Sequence, residues 1–372
     1  MVATRTTRLV AGSVALAVGT ACLTAVPAAA QPRHDHADVQ SIVDGYVAAG
    51  VPGAMVYSRD RRTQWTVSSG TAEIGVDDPI RPWDRVRVAS NTKMFVATVV
   101  LQLVGEARVA LDAPVERYLP GLVRGNGYDG NRITVRQLLR HTSGMADYVA
   151  DVLADPIAND HPWRPEELVA IGLSHPPLFA PGAGWAYSNT GYIVLGMLVE
   201  AATGEDVGTQ ITDRLIRPLG LHETSYPKTG DRSIRGPHPH GYYAFPGQPV
   251  TDFTQLEPSL PGAAGSLIST GPDLTRFLGA LLSGRLLRGD LLAEMRTVVP
   301  AEGGSYGLGI REIPLPCGGS AWGHGGNIIG FDTASAATRD GRAVFVVANG
   351  HQADGAPVDM RGAVETALCE DE

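Results

Sequence analysis

The chain has 372 residues, 44% of them hydrophobic, enough to bury one large core or two modest ones. With 6% aromatics, 45 glycines and 26 prolines it reads as a loop-rich globular chain, not a fibre or a disordered tail. Its formal charge of −9 repels phosphate backbones, which argues against a nucleic-acid partner.

Residues 1–30 have the pattern of an export signal. Arg5 and Arg8 precede an apolar stretch from Leu9 to Val26, and Ala28-Ala29-Ala30 offers small residues for cleavage. A membrane anchor is the alternative, but Gly, Thr and Ala dilute the stretch and Pro27 follows it. Cys22 lacks the bulky apolar residue expected ahead of a lipoprotein cysteine, since Gly19, Thr20 and Ala21 precede it. Removal of this segment leaves a secreted chain, residues 31–372, with no stable membrane anchor. Two cysteines then remain, Cys317 and Cys369, and in an exported protein such a pair reads as a disulfide. Two buried thiols are the alternative.

His34-Asp35-His36 follows in a polar stretch that reads as a tail in preference to a metal site. Val39, Ile42, Val43, Tyr46 and Val47 fall at helical spacing, and Gly50 ends the helix. Gly53–Ser58 and Gln64–Thr71 flank a polar turn and predict an antiparallel hairpin. The apolar run from Met94 to Val104 is too long for a typical strand and predicts a buried helix beginning near Ser90. Thr134 with Gln137 forms a capping box for a short helix. Residues 182–188 read as loop, 192–202 as a helix stopped by Gly204, and 220–262 as long loops. A short strand over 266–269 and a helix over 272–282 come next. The C-terminal part reads as strands at 306–313, 321–324, 328–337 and 343–349, with Asp340-Gly341 as a hairpin turn, and a closing helix after Val358.

Three short motifs carry chemistry. Ser90-Asn91-Thr92-Lys93 puts a hydroxyl and an amine on one helical face, where the amine can take the hydroxyl proton. The chain has two lysines, Lys93 and Lys228, and otherwise uses arginine; unlike arginine, lysine can lose its proton when its surroundings disfavour charge. Tyr187-Ser188-Asn189 supplies a hydroxyl that can relay a proton and an amide that can bind both Lys93 and a substrate carbonyl. His324-Gly325-Gly326 pairs a histidine with glycines that would let an extended substrate lie along a strand edge. Taken singly, each has an ordinary reading: a capping Ser with a solvated Lys, a core Tyr with a capping Asn, a strand His. Lys228-Thr229-Gly230 offers a rival third motif, but Pro227 and Asp231 flank it in a loop-rich stretch.

The order S-x-x-K, Y-x-N, H-x-G resembles the serine D-alanyl-D-alanine carboxypeptidases and class C β-lactamases of the penicillin-binding superfamily. The similarity runs over nearly all of residues 31–372. Val51–Val56, Ile133–Met145 (ITVRQLLRHTSGM), Ala180–Gly191, Tyr306–Arg311 and the placing of Cys317 and Cys369 look most like secreted carboxypeptidases of high-GC bacteria. The resemblance implies an α/β (α+β) fold: an antiparallel sheet flanked by helices, about 38–93 and 264–372, with a mostly helical part about 94–263 and the site between them. It implies a serine hydrolase in which Ser90 forms an acyl ester, Lys93 or Tyr187 acts as base, and Tyr187 returns the proton to the leaving nitrogen. Asn189 and His324 complete the catalytic group. The backbone N–H groups of Ser90 and Asn327 would form the oxyanion hole, beside Gly325 and Gly326, and Arg311 would receive a terminal carboxylate.

The expected substrate is a peptidoglycan-type D-Ala-D-Ala peptide or a β-lactam, with no cofactor or metal and a monomeric state. A β-lactamase, an esterase or a D-amino-acid amidase on the same machinery is the alternative, and a β-lactam-sensing binding protein a more distant one. Two departures bear on substrate choice. The carboxypeptidases carry Thr at the positions of Gly325 and Asn327, where the hydroxyls help hold the carboxylate, and a Trp near Leu260. Glu166 and Glu167, after Pro165, fit the first turn of a helix and not a deacylating base.

Overall fold

A computed structural model describes residues 1–12, 36–155, 159–245, 247–352 and 358–370. The chain divides into two units, 1–35 and His36–Glu372. Residues 1–12 carry no helix or strand, and most of the expected export signal, together with His34 and Asp35, lies outside the described residues. No helix among the described residues is long and apolar enough to cross a membrane.

Every element that bears on the site belongs to the second unit. Helix α1 (Ala37–Ala48) leads into the hairpin β1 (Gly53–Arg59) and β2 (Gln64–Gly70). A 3₁₀ turn at Ala89–Asn91 opens α2 (Thr92–Gly105), which is buried on nearly every side because its sequence offers no polar face. Helices α3 (Val135–Arg140), α4 (Pro165–Ser174), α5 (Asn189–Thr203) and α6 (Gly271–Leu282) follow. The last part of the chain supplies β3 (Val299–Ala301), β4 (Gly304–Tyr306), β5 (Arg311–Pro314), β6 (Ser320–Ile328), β7 (Phe331–Thr338) and β8 (Ala343–Ala348), then α7 (Arg361–Cys369).

Local chemistry sets these boundaries. Thr134 and Gln137 make the reciprocal capping box of α3, and the Ser188 hydroxyl accepts from the Gly191 N–H to cap α5. Gly204, at φ 81°, ends α5 in the left-handed conformation. Pro165 occupies the first turn of α4, where Glu167 accepts from the Arg164 N–H.

The eight strands form one antiparallel sheet in the order β2-β1-β8-β7-β6-β5-β4-β3. The N-terminal hairpin thus pairs with the C-terminal strand, Met55 opposite Val347 and Tyr57 opposite Phe345. On one face Val39 and Val43 of α1 and Val364 and Leu368 of α7 pack against Val56, Val344 and Val346. On the other, α2 and α6 meet Tyr57, Phe345 and Val347, with Phe95 and Phe277 stacked at 3.8 Å. The strands of this sheet come from 53–70 and 299–348, with helices α2 to α6 between, so the expected antiparallel α/β (α+β) architecture is the observed one.

Two strand readings need correction. The 306–313 run is not one strand. It breaks into β4 and β5 because Gly309, at φ 76°, turns a corner where a Cβ would lie 2.4 Å from that of Ala97. Nor does a strand stop at His324. Strand β6 continues through the paired glycines to Ile328, since their lack of side chains lets it run against neighbouring backbone. Cys317 and Cys369 form a disulfide that ties the turn after β5 to the end of α7. His36 is no solvated tail: its ring stacks on Trp65 at 3.9 Å and its Nδ1 lies 2.7 Å from Glu370.

Candidate active site

Ser90 sits on the 3₁₀ turn that feeds α2, and the turn is anchored from both sides. Asn91 donates to the Val88 carbonyl at 3.0 Å and to Thr333 Oγ1 at 3.1 Å, and accepts from Ser335 Oγ at 2.6 Å. These bonds tie the turn to β7. Ala89 adopts a left-handed φ of 47°, a conformation costly for any residue with a Cβ and typical of functional turns.

One turn of helix further on, Lys93 is completely buried. Its Nζ donates to Ser90 Oγ at 3.0 Å, to Asn189 Oδ1 at 2.8 Å and to the Ala264 carbonyl at 2.7 Å. It also lies 4.8 Å from the centre of the Tyr187 ring. Burial penalises the ammonium, and Asp147 offsets this only in part, so the Lys93 pKa falls to about 7. Tyr187 moves the other way. Burial and the neighbouring Tyr306 push its phenol well above the usual range, while a hydrogen bond with Ser90 acts against the rise.

Asn189 is held by Asp147, whose Oδ2 accepts from Asn189 Nδ2 at 2.8 Å and from its backbone N–H at 3.3 Å. His324 lies 2.9 Å from the Tyr306 hydroxyl through Nε2 and 2.5 Å from the Gly325 carbonyl through Nδ1. Burial and the nearby Lys93 hold its pKa at about 3, so it is neutral. An Nδ1–H tautomer donating to Gly325 and accepting from Tyr306 satisfies both contacts.

The backbone of β6 passes directly over the Ser90 turn. A Cβ on Gly326 would lie 2.3 Å from the Val88 carbonyl and 2.5 Å from Thr333 Oγ1, so no larger residue fits there. Gly325 faces open space, with nothing nearer than the Thr333 carbonyl at 3.8 Å. Asn327 Nδ2 donates to Asp332 Oδ1 at 2.5 Å. Arg311, at the start of β5, donates to the Glu302 carbonyl at 2.8 Å and lies 5.2 Å from the Tyr306 ring and 5.7 Å from the Trp185 ring.

Ser90, Tyr187, Asn189, Arg311, His324, Gly325, Gly326 and Asn327 all line one cavity of about 910 Å³, with Lys93 beneath it. Leu260 lines it too. Lys228-Thr229-Gly230 is an exposed loop and takes no part in this wall. The sequence reading passed over four contributors: Tyr306, Asp147, Trp185 and His141. His141 Nδ1 accepts from the Ser188 N–H at 3.1 Å, and its ring lies 4.3 Å from that of Tyr187. Burial keeps it neutral. Asp147 stands two residues beyond the HTSGM stretch, a position that alone gives no sign of its reach to Asn189.

A D-stereospecific amidohydrolase from Streptomyces sp. superposes with a TM-score of 0.82 at 42% identity, over 90% of this chain and 99% of that one. The D-amino acid amidase of Ochrobactrum anthropi superposes at 0.78 with 28% identity, over 90% and 97%. Esterase EstB of Burkholderia gladioli is 31% identical over 244 residues, 63% of this chain and 61% of that protein. Penicillin-binding protein 4 of Amycolatopsis lactamdurans is 29% identical over 247 residues, 65% and 63%. The chain thus spans about three fifths of these two curated relatives. Residues 39–367 match the family profile described as Beta-lactamase, and the chain therefore belongs to the beta-lactamase family of serine hydrolases.

Proposed function

We propose that the protein hydrolyses amides and short peptides of D-amino acids through an acyl ester on Ser90. The observation that carries the chemistry is the Lys93 Nζ, buried, 3.0 Å from Ser90 Oγ and with a pKa of about 7. An amine of that pKa is substantially neutral near pH 7 and can accept the hydroxyl proton, whereas the raised Tyr187 phenol keeps its own. Lys93 is thus the base. Ser90 Oγ bonds to the carbonyl carbon, and its proton passes to Lys93. The C–N bond then breaks as Tyr187 hands its proton to the leaving nitrogen and recovers one from Lys93. By the family resemblance, the N–H groups of Ser90 and Asn327 would hold the developing oxyanion, each worth about 3–4 kcal/mol in comparable sites. Water then cleaves the ester and frees the D-amino acid.

Substrate choice follows from the carboxylate end. Gly325 presents no hydroxyl, and the Asn327 amide is already engaged by the Asp332 carboxylate. Two donors expected for a free C-terminal carboxylate are therefore missing or committed, which favours a neutral amide or ester there. The 42% identity with the Streptomyces amidohydrolase supports the same reading. Arg311 on the cavity wall favours a second reading, D-Ala-D-Ala carboxypeptidase, and both can operate on one machinery. The disulfide supports an exported protein.

The test compares D-phenylalanine amide, its L enantiomer, diacetyl-Lys-D-Ala-D-Ala and benzylpenicillin by product release and intact mass. Release of D-phenylalanine with the L amide intact is expected, and Ser90→Ala abolishes it together with any covalent adduct. Preferential D-Ala release from the peptide installs the carboxypeptidase reading; rapid penicillin turnover with neither amide nor peptide cleaved rejects both.

A further inference from the structure

Asp147 has no part in the three motifs, yet it is the carboxylate whose field reaches Lys93. It stands in the segment between α3 and the short helix Val149–Leu153 and is fixed by three backbone or amide donors. Oδ1 accepts from the Val149 N–H at 3.1 Å, and Oδ2 takes both the Asn189 amide at 2.8 Å and the Asn189 N–H at 3.3 Å. A carboxylate only accepts hydrogen bonds, so the group that Asn189 turns toward Asp147 must be its NH₂. The Asn189 carbonyl oxygen is thereby directed at Lys93 Nζ, 2.8 Å away.

Among the described residues, the other groups that touch Lys93 supply no negative charge. Ser90 Oγ and the Ala264 carbonyl are neutral acceptors, and the Tyr187 and Tyr192 rings, 4.8 and 5.3 Å away, belong to phenols that burial keeps protonated. Tyr306 is likewise held protonated, and His141 and His324 are held neutral. Arg311, on the cavity wall, adds positive charge.

We infer that Asp147 is a positioning residue that acts through Asn189: it locks the amide with its oxygen toward Lys93 and places a negative charge one residue behind that contact. This rests on the reading of Ser90 as nucleophile and Lys93 as base. With a proton held on Lys93, the Asp147 carboxylate stabilises the ammonium through the amide; without it, the same amide oxygen still fixes the amine against Ser90 Oγ. The device tunes the pH at which the base becomes available without placing a carboxylate in contact with the substrate.

The test uses acetylation of Ser90 by p-nitrophenyl acetate, followed by p-nitrophenol release and intact mass between pH 5 and 9. This readout needs no D-amide specificity. Asp147→Asn keeps a carbonyl acceptor for the Asn189 amide and removes the charge. The ascending limb of the pH–rate profile is expected to move down by about half a pH unit or more, because the ammonium loses its stabilising neighbour. Asp147→Ala also frees the amide to turn, and the rate at the optimum is expected to fall about tenfold below that of Asp147→Asn. A limb that superimposes on the parent's in Asp147→Asn overturns the electrostatic role. Equal optimum rates in the two variants overturn the orienting role, and if Asp147→Ala does not fold, the Asp147→Asn profile decides alone. No acetyl adduct on Ser90 in the parent would remove the underlying reading of the site itself.

Discussion

At the scale of the residue, the site turns on how far burial can move a proton equilibrium. Desolvation brings Lys93 down to about 7, while the same environment drives Tyr187 upward, the separation that the proposed base and acid require. Acylation should therefore rise with pH through a midpoint near 7, which a stopped-flow pH series would measure. Lys93→Arg keeps the charge but cannot surrender it, and its rate of acylation should fall by about a thousandfold or more at every pH. A fall confined to low pH would assign the base elsewhere. The linkage to stability has a definite sign. A base whose pKa is lowered on folding binds more protons when unfolded, so the cost of burying the Lys93 ammonium is fully present below about 7 and is relieved as pH rises toward 10.5. The lysine, the tyrosine and the serine were legible because each motif places a chemically unusual residue at a helix start. Tyr306, His141 and Asp147 were not, because their partners lie far off in sequence: Tyr306 meets His324, and Asp147 meets Asn189.

At the scale of the element, helix caps and hairpins followed their local chemistry closely. The capping box at Thr134, the stop at Gly204 and the turn at Asp340-Gly341 are decided within a few residues. Strand β6 is different. Its glycines weaken any local strand signal, and only the approach of the Ser90 turn explains why they are there. The two glycines should answer differently to substitution. Gly326→Ala must push β6 from Val88 and Thr333, so acylation should drop by about a hundredfold, since small displacements of the reacting groups carry such costs. Gly325→Thr meets open space and should leave acylation by a small ester within about threefold, while raising D-Ala release from diacetyl-Lys-D-Ala-D-Ala relative to D-amide cleavage. Paired kcat/KM measurements on the two substrates would check both statements, and an unchanged ratio in Gly325→Thr would mean that the carboxylate is held elsewhere.

At the scale of the whole molecule, the disulfide closes the chain between the turn after β5 and the end of α7, with 52 residues of separation. In the chain-entropy description a loop of that length stabilises by about 4 kcal/mol. Thermal unfolding with and without reductant should show a drop in Tm of several degrees, and Cys369→Ser should reproduce it; an unchanged midpoint would place the stability of this corner in the packing of α1 and α7. The general architecture was legible from strands at both ends and helices between, and Ser90-x-x-Lys93 marked the floor of the cavity. The division of 306–313 was not, because the corner at Gly309 is dictated by Ala97 and Tyr192, which sequence places far away.

The pairing of β1 with β8 also has a kinetic meaning. Met55 waits for Val347, and the sheet lacks its middle until β7 and β8 have been added. Contacts so distant in sequence make for slow, late closure. The Ser90 turn is pinned by Thr333 and Ser335 of β7, so its geometry is completed only at that stage. In a refolding experiment, covalent labelling of Ser90 would then report the last long-range event, and helix signals that appear earlier would come from a chain that is still chemically silent.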